Sequence, residues 1–367
     1  MIGIGIDSGG SRTTYAIDDG SGTIQIGTEC GSSISDSRDT QSVRMTLEWI
    51  LDVIESQTDD EICVWIGAAG FAANTARSIG EVFSGPFKAL GRRLEEDGRH
   101  CEAFIANDAV SLLKAPPLFG AGLVAIVGTG SVVMGAHPSF PNGVVQRGGQ
   151  EWVVSDEGSG VWMTIQATRQ LLKDIEVRGS QNYRSALLDR LADYLGISEA
   201  DIADIPPSHR AFAKAGLVAR RMAGSRPDTK RFLAQFVYPH IFDLASLEPG
   251  RPHDPIAAEV IDASTRVITD DVTAVSETLA AHTADDPNLR EKLPLVVGGN
   301  IAANSVYDQR LRARVSSRCR FISSVTAVGD SADELATLAL HYLNSSARDQ
   351  RAIAKGFDPL NPVLKLL

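Results

Sequence analysis

The sequence predicts an α/β protein made of two similar halves. Apolar strand-like runs alternate with amphipathic helical stretches along the 367 residues. A strand, a turn of small residues and a second strand open the chain at 2–18. The same arrangement returns at 123–136 ("LVAIVGTGSVVMGA"), which reads as an internal duplication. Several apolar runs also end in loops of Gly, Ser, Asn or Asp, and ligand sites in α/β proteins gather at such strand ends.

In order along the chain, strand signals cover 2–7, 13–18 and 23–28, the last two joined by Gly20-Ser21-Gly22. Residues 39–57 read as an amphipathic helix with Val43, Leu47, Ile50, Leu51 and Ile54 on one face. "EICVWIGAAG" is a buried strand ending in small residues. After a helical region, "CEAFIAND" is a strand that delivers Asn107 and Asp108 at its C-terminal end. "KAPPLFGAG" (114–122) marks the crossing between halves. Beyond the repeated hairpin, "SDEGSGVWMTIQATRQLL" turns into a long helix, and 183–285 is mostly helical with a break at 246–255. "LPLVVGGN" (293–300) is another buried strand with a glycine turn, followed by a helix from about Ser305. A strand near 319–323 and a helix near 331–344 complete the second half. The expected domains are therefore 1–114 and 115–345, the latter with a helical insertion, and the tail 346–367 is expected to pack on the first.

Composition narrows the function classes. The formal charge is −11 and the pI about 5.2, which argues against general affinity for nucleic acid or an anionic membrane. No apolar run approaches the ~20 residues of a membrane span, and no basic segment precedes a long apolar stretch, so neither a span nor a signal peptide is expected. A cytoplasmic protein is the expectation. Cys30, Cys63, Cys101 and Cys319 form no C-x-x-C pair, which disfavours structural zinc and a disulfide scaffold; Cys63 and Cys101 read as small buried hydrophobes. The seven histidines share no metal-ligand spacing.

Four small-residue turns follow apolar strands: Asp7 to Ser11, Gly128 to Ser131, Asp156 to Ser159, and Gly298 to Asn300. Glycines let backbone N–H groups converge on an anion, and hydroxyls add donors, so such turns can hold phosphates. Any one of them alone is an ordinary hairpin or loop; four in order, two with an adjacent carboxylate, together with Asp108, point to a phosphate-holding site. There is no Walker A motif, and no helix follows the first turn, so the dinucleotide fingerprint is excluded as well. Asp108 and Asp156 each have a plainer reading as helix caps. Arg12 reads equally as a phosphate ligand or a solvated turn residue, and Trp152 more readily as core than as a sugar platform.

These motifs resemble the sugar kinase and actin-like ATPase superfamily, and within it the BadF/BadG-type ATPase family with its N-acetylglucosamine kinases. "GIDSGGSRT" is similar to that family's first phosphate loop, "IANDA" to its catalytic-Asp segment and "IVGTGS" to its second phosphate loop. "GGQEWVVSDEGSG" is similar to its sugar-side segment and "LVVGGN" to its adenosine segment. The resemblance implies two duplicated actin-like ATPase (ribonuclease H-like) domains flanking a nucleotide cleft. It implies Mg²⁺ at Asp7, and ATP at Ser8, Gly9, Gly10, Ser11, Arg12, Gly128, Thr129, Gly130, Ser131, Gly298, Gly299 and Asn300. Asp108 would be the general base. An amino sugar would be bound by Ser33, Asn107, Asp108, Gly149, Gln150, Asp156 and Glu157, with Glu157 the weaker of the last two. The implied reaction is transfer of the γ-phosphoryl group of ATP to the 6-hydroxyl of N-acetylglucosamine or glucosamine, and a homodimer is the expected assembly.

The chain departs from that pattern in places. Ile34 stands where the sugar kinases have Asn, and Gln150 and Glu151 replace Trp and Gly of their G-G-W-G. Phosphotransfer is therefore the firmer expectation and the sugar the softer one. Three other readings compete: an ATPase activator of the BadF/BadG type, which would need cluster-binding cysteines; a sugar-binding regulator, which would need a helix-turn-helix; and a non-catalytic sugar or nucleotide binder.

Overall fold

The computed structural model describes residues 1–9, 12–29, 40–150, 153–181, 183–224, 229–246, 253–285, 290–328 and 331–367. The first half runs β1 (Ile2–Ser8), β2 (Thr13–Asp18), β3 (Thr23–Glu29), α1 (Thr40–Glu55), β4 (Glu61–Ala68), α2 (Ala73–Glu96), β5 (His100–Asn107) and α3 (Asp108–Lys114). The second runs β6 (Gly122–Val127), β7 (Ser131–Ala136), β8 (Val144–Gly148), α4 (Gly160–Arg178), α5 (Ala186–Tyr194), α6 (Arg210–Ala223), α7 (Thr229–Gln235), α8 (Phe242–Ala245), α9 (Pro255–Ala280), β9 (Leu293–Gly298), α10 (Ser305–Arg318) and β10 (Ile322–Ala327). After these come α11 (Ser331–Leu343), α12 (Ala347–Ile353) and β11 (Val363–Lys365).

The repeat seen in the sequence is a repeat of topology. The first sheet has the order β11-β5-β4-β1-β2-β3 and the second β10-β9-β6-β7-β8. In each, a three-strand antiparallel meander is extended by two parallel strands reached through helices. Alternation sets the faces: Ile2, Ile4 and Ile6 of β1 enter a core with Val43, Leu47, Ile50 and Ile54 of α1. A separate core joins β6, β7 and β9 to α4, α9 and α10. The helices α5 to α8 between β8 and β9 are the insertion, and no helix among the described residues is long and apolar enough to cross a membrane.

One assignment changes. The helix near 331–344, grouped with the second half from its position in the sequence, lies on the first sheet. The cause is in β1. Gly3 and Gly5 face α11 so closely that a Cβ would lie 2.2 Å from the Ala336 carbonyl oxygen and 2.0 Å from that of Ala332. Glycine on the strand and alanine on the helix let the two backbones touch, and Leu335, Leu338, Ala339 and Tyr342 then cover Cys63, Trp65 and Phe104. The strand expected near 319–323 forms at Ile322–Ala327. The tail adds β11 antiparallel to β5, beyond the edge of the parallel strands. Between the sheets, α3 packs Ala109, Val110, Leu112 and Leu113 against Val124, Met134 and Val296. Cys63 and Cys101 are buried thiols, and burial raises both, Cys101 to about 12.

The insertion is pinned by one carboxylate. Asp254 caps α9, its Oδ1 accepting from the Ile256 N–H at 3.0 Å, while its Oδ2 accepts from Ser185 Oγ at 2.7 Å and the Leu187 N–H at 3.1 Å at the start of α5. Asp254 is buried. Asp254→Ala strands these donors away from water and should destabilise the fold by about 2–4 kcal/mol, with Asp254→Asn costing less. An unmoved urea midpoint for the Ala variant would refute this bridging role.

Candidate active site

The first sheet contributes its C-terminal strand ends. In register across β1, β4 and β5 stand Asp7, Gly67 and Ala106, then Ser8, Ala68 and Asn107. Two strand spacings separate the Asp7 and Asn107 ends, about 10 Å. Asp108 follows as the first residue of α3, and the cap it might have been belongs to its neighbour: Asn107 is the N-cap, its Oδ1 accepting from the Ala109 N–H at 3.0 Å. Asp108 Oδ1 accepts from the same N–H at 2.9 Å. Burial raises the Asp108 carboxyl above its ordinary value, opposed by the Ala109 N–H and by the positive charge of Lys230.

The two hairpin tips use their hydroxyls as braces. Ser8 Oγ lies 3.2 Å from Thr13 Oγ1 in the buried base of the first hairpin, and Gly9 N–H donates to the Arg12 carbonyl at 3.0 Å. In the second, Ser131 Oγ donates to the Glu157 carbonyl at 2.8 Å. Both serines, expected as phosphate ligands, are buried, Ser8 bridging the two strands of its hairpin and Ser131 tying β7 to the Asp156 loop. Gly9, Gly128, Thr129 and Gly130 remain partly accessible, and Arg12 is exposed.

The remaining turns converge on the second hairpin. Gly160 N–H, at the start of α4, donates to the Gly128 carbonyl at 2.9 Å. Gly299 has φ +96°, and a Cβ there would lie 2.4 Å from the Val127 carbonyl oxygen, so only glycine lets this turn close on the end of β6. A Cβ on Gly128 would meet Asn300 Oδ1 at 3.3 Å, which makes Gly128–Ser131 and Gly298–Asn300 one continuous small-residue surface. Gly298 in turn neighbours Leu112 of α3 and Ser331 of α11.

Asp156 lies against that surface. Its side chain is 4% exposed, and Oδ2 is 2.6 Å from where a Gly130 side chain would begin. The loop carrying it is held from behind by Ser264 Oγ, which donates to the Gly158 carbonyl at 2.6 Å, and by Ser159, the N-cap of α4. Gly149, Gln150, Glu157 and Asn300 are exposed. Gln150 N–H donates to Ser155 Oγ at 2.8 Å. Gly10, Ser11, Ser33, Ile34, Glu151 and Trp152 lie outside the described residues.

Sequence reasoning missed Lys230. Its Nζ is 3.4 Å from Asp156 Oδ2, and its charge is felt at Asp108. It lies in a stretch that reads as a polar helix face, with no motif to mark it. Among the described residues no group of three or more His, Cys, Asp or Glu side chains is arranged to hold a metal ion.

Comparison with models of known protein families gives no match. A curated sequence relative is the N-acetylmuramic acid/N-acetylglucosamine kinase of Clostridium acetobutylicum, 25% identical over 236 residues, which span 60% of this chain and 73% of the relative. Among solved structures, the chain is similar to a Chromobacterium violaceum protein provisionally named an N-acetylglucosamine kinase, with a TM-score of 0.51 and 18% identity over 92% of this chain and 98% of the other. A Porphyromonas gingivalis protein with the same provisional name has a TM-score of 0.49 and 17% identity, over 91% and 97%. The resemblance read from the motifs is thus met by a sequence similarity over 60% of the chain, and the chain has the two-domain actin-like ATPase fold.

Proposed function

We propose that this chain is an ATP-dependent kinase that phosphorylates the 6-hydroxyl of an amino sugar, N-acetylglucosamine or a close relative of it. The observation that supports this best is Lys230 paired with Asp156 at a surface of glycine loops, its positive charge also acting on the buried Asp108 at the strand ends of the first sheet. Asp108 takes the proton of the sugar hydroxyl as its oxygen bonds to the γ-phosphorus and the bond from phosphorus to the ADP oxygen breaks. Asp156 accepts hydrogen bonds from other sugar hydroxyls. Gly9 and Gly128, whose own N–H groups close the two hairpin turns, let the phosphates approach closely, Thr129 and Gly130 supply backbone N–H donors to them, and Gly298, Gly299 and Asn300 border the adenosine. One carboxylate at Asp7 is a fitting donor for Mg²⁺, which keeps water and phosphate oxygens as most of its ligands. When bound, the ion supplies charge neutralisation on the β- and γ-phosphates.

The test is ADP release measured by a coupled assay across hexoses, hexosamines, N-acetylhexosamines and N-acetylmuramic acid. The proposal expects release that depends on an N-acetylated or free amino sugar. Release independent of any sugar would favour an ATPase, and binding without release a non-catalytic binder.

A further inference from the structure

We infer that Lys230 is a nucleotide-binding residue of this site, its ammonium group contacting the γ-phosphoryl oxygens of the bound triphosphate at the second glycine loop. The inference rests on the ATP-dependent reading given above.

The placement of α7 carries it. Thr164 Oγ1 of α4 donates to the Leu233 carbonyl at 2.8 Å, and a Cβ on Gly160 would meet the Ala234 Cβ at 3.3 Å. The helix is therefore seated on the first turn of α4, the same turn whose Gly160 N–H holds the Gly128 carbonyl. Residues 230, 233 and 234 share a helical face, so the contacts that seat α7 also direct Lys230 toward the loop. Its Nζ is 3.4 Å from Asp156 Oδ2 and 3.6 Å from the point where a Gly130 side chain would begin. A side chain at 130 would collide with Asp156 Oδ2 at 2.6 Å, so glycine there is what lets the Asp156–Lys230 pair lie against the loop backbone.

Electrostatics give the position a purpose. The chain carries a formal charge of −11, and Asp7, Asp108 and Asp156 all belong to the site. A triphosphate entering that field needs a local cation. Lys230 has a side chain 36% exposed beside an Asp156 that is 4% exposed, so the lysine keeps one side toward solvent while the carboxylate does not. An ammonium on a flexible stem can hold Asp156 and a phosphoryl oxygen together. A purely structural lysine, present only to neutralise Asp156, would make no distinction between nucleotides that differ in the γ-phosphate.

That distinction is the test. Calorimetric titration of Lys230→Met with ADP and with a non-hydrolysable ATP analogue should show analogue affinity weakened by about 10- to 100-fold, the size of one lost charge-assisted phosphate contact. ADP affinity should change by less than about threefold on the same scale, and Lys230→Arg should restore most of the preference. Should Lys230→Met melt early, Lys230→Gln serves the same comparison with a polar end. Equal losses for the two nucleotides, or no loss for either, would overturn the assignment. Failure of the wild-type protein itself to bind the analogue would instead remove the ATP-dependent reading on which it stands.

Discussion

Asp108→Asn is expected to lower turnover by ~10²–10⁴, the range that loss of a general base costs, while the protein melts no earlier than wild type. Asn107 already caps α3, and an Asn at 108 can keep the bond that Asp108 Oδ1 accepts from the Ala109 N–H. Burial disfavours the ionised carboxylate, so its folded pKa lies above the ordinary value of 3.8. A carboxyl raised on folding contributes stability below its unfolded pKa and loses it as pH rises through the folded one. Wherever Asp108 is ionised in the folded protein, its charge is therefore a cost that the neutral amide relieves. Activity runs the other way: the base must be ionised, so the acid limb of kcat/KM should fall at a higher pH than an ordinary aspartate would give. A near-normal kcat for Asp108→Asn at saturating sugar and ATP would defeat the catalytic assignment.

Asp7→Ala should reduce Mg-ATP turnover by at least ~10²–10³, since a metal ion supplies several kcal/mol of charge stabilisation in such transfers. The strand should survive, because β1 is paired on both sides through its backbone, to Thr14 of β2 and Gly67 of β4 at this position. Sugar affinity, measured by calorimetry without nucleotide, should stay near wild type. Raising Mg²⁺ should recover part of the loss if water and phosphate can replace the missing ligand. Turnover near the wild-type rate at ordinary Mg²⁺ would take Asp7 out of the site.

The parts of this fold that were legible in the sequence were local ones. Alternating apolar residues mark β1 and β2, and the recurrence of strand, glycine turn and strand at 123–136 exposes the duplication before any coordinates. Asp108 was legible as a strand-end acid. That Asn107 rather than Asp108 caps the helix depends on a backbone geometry shared by two adjacent residues, which residue types alone do not separate. Ser8 and Ser131 were read as donors because they carry hydroxyls beside glycines; which way each hydroxyl points is set by Thr13 and by the Glu157 carbonyl, the latter brought up by tertiary packing. Lys230 reaches the site only through the seating of α7 on α4, a contact between distant segments. The destination of α11 left a trace in Gly3 and Gly5, whose partners lie more than three hundred residues away.

That last contact sets the order in which the protein can be made. The first sheet lacks its covering helix and its outermost strand until residues 331–367 have left the ribosome. Until then the glycine face of β1 stands open, Trp65 and Phe104 have no cover from Leu338 and Tyr342, and β5 presents an unpaired edge. Exposed apolar surface beside an open strand edge is what drives nascent chains to associate. Residues 1–330 produced alone should accordingly collect in the insoluble fraction, and supplying 331–367 as a separate peptide during refolding should bring part of the material back into solution. The chain is duplicated in design but not divisible in practice: its first half is finished by its last residues.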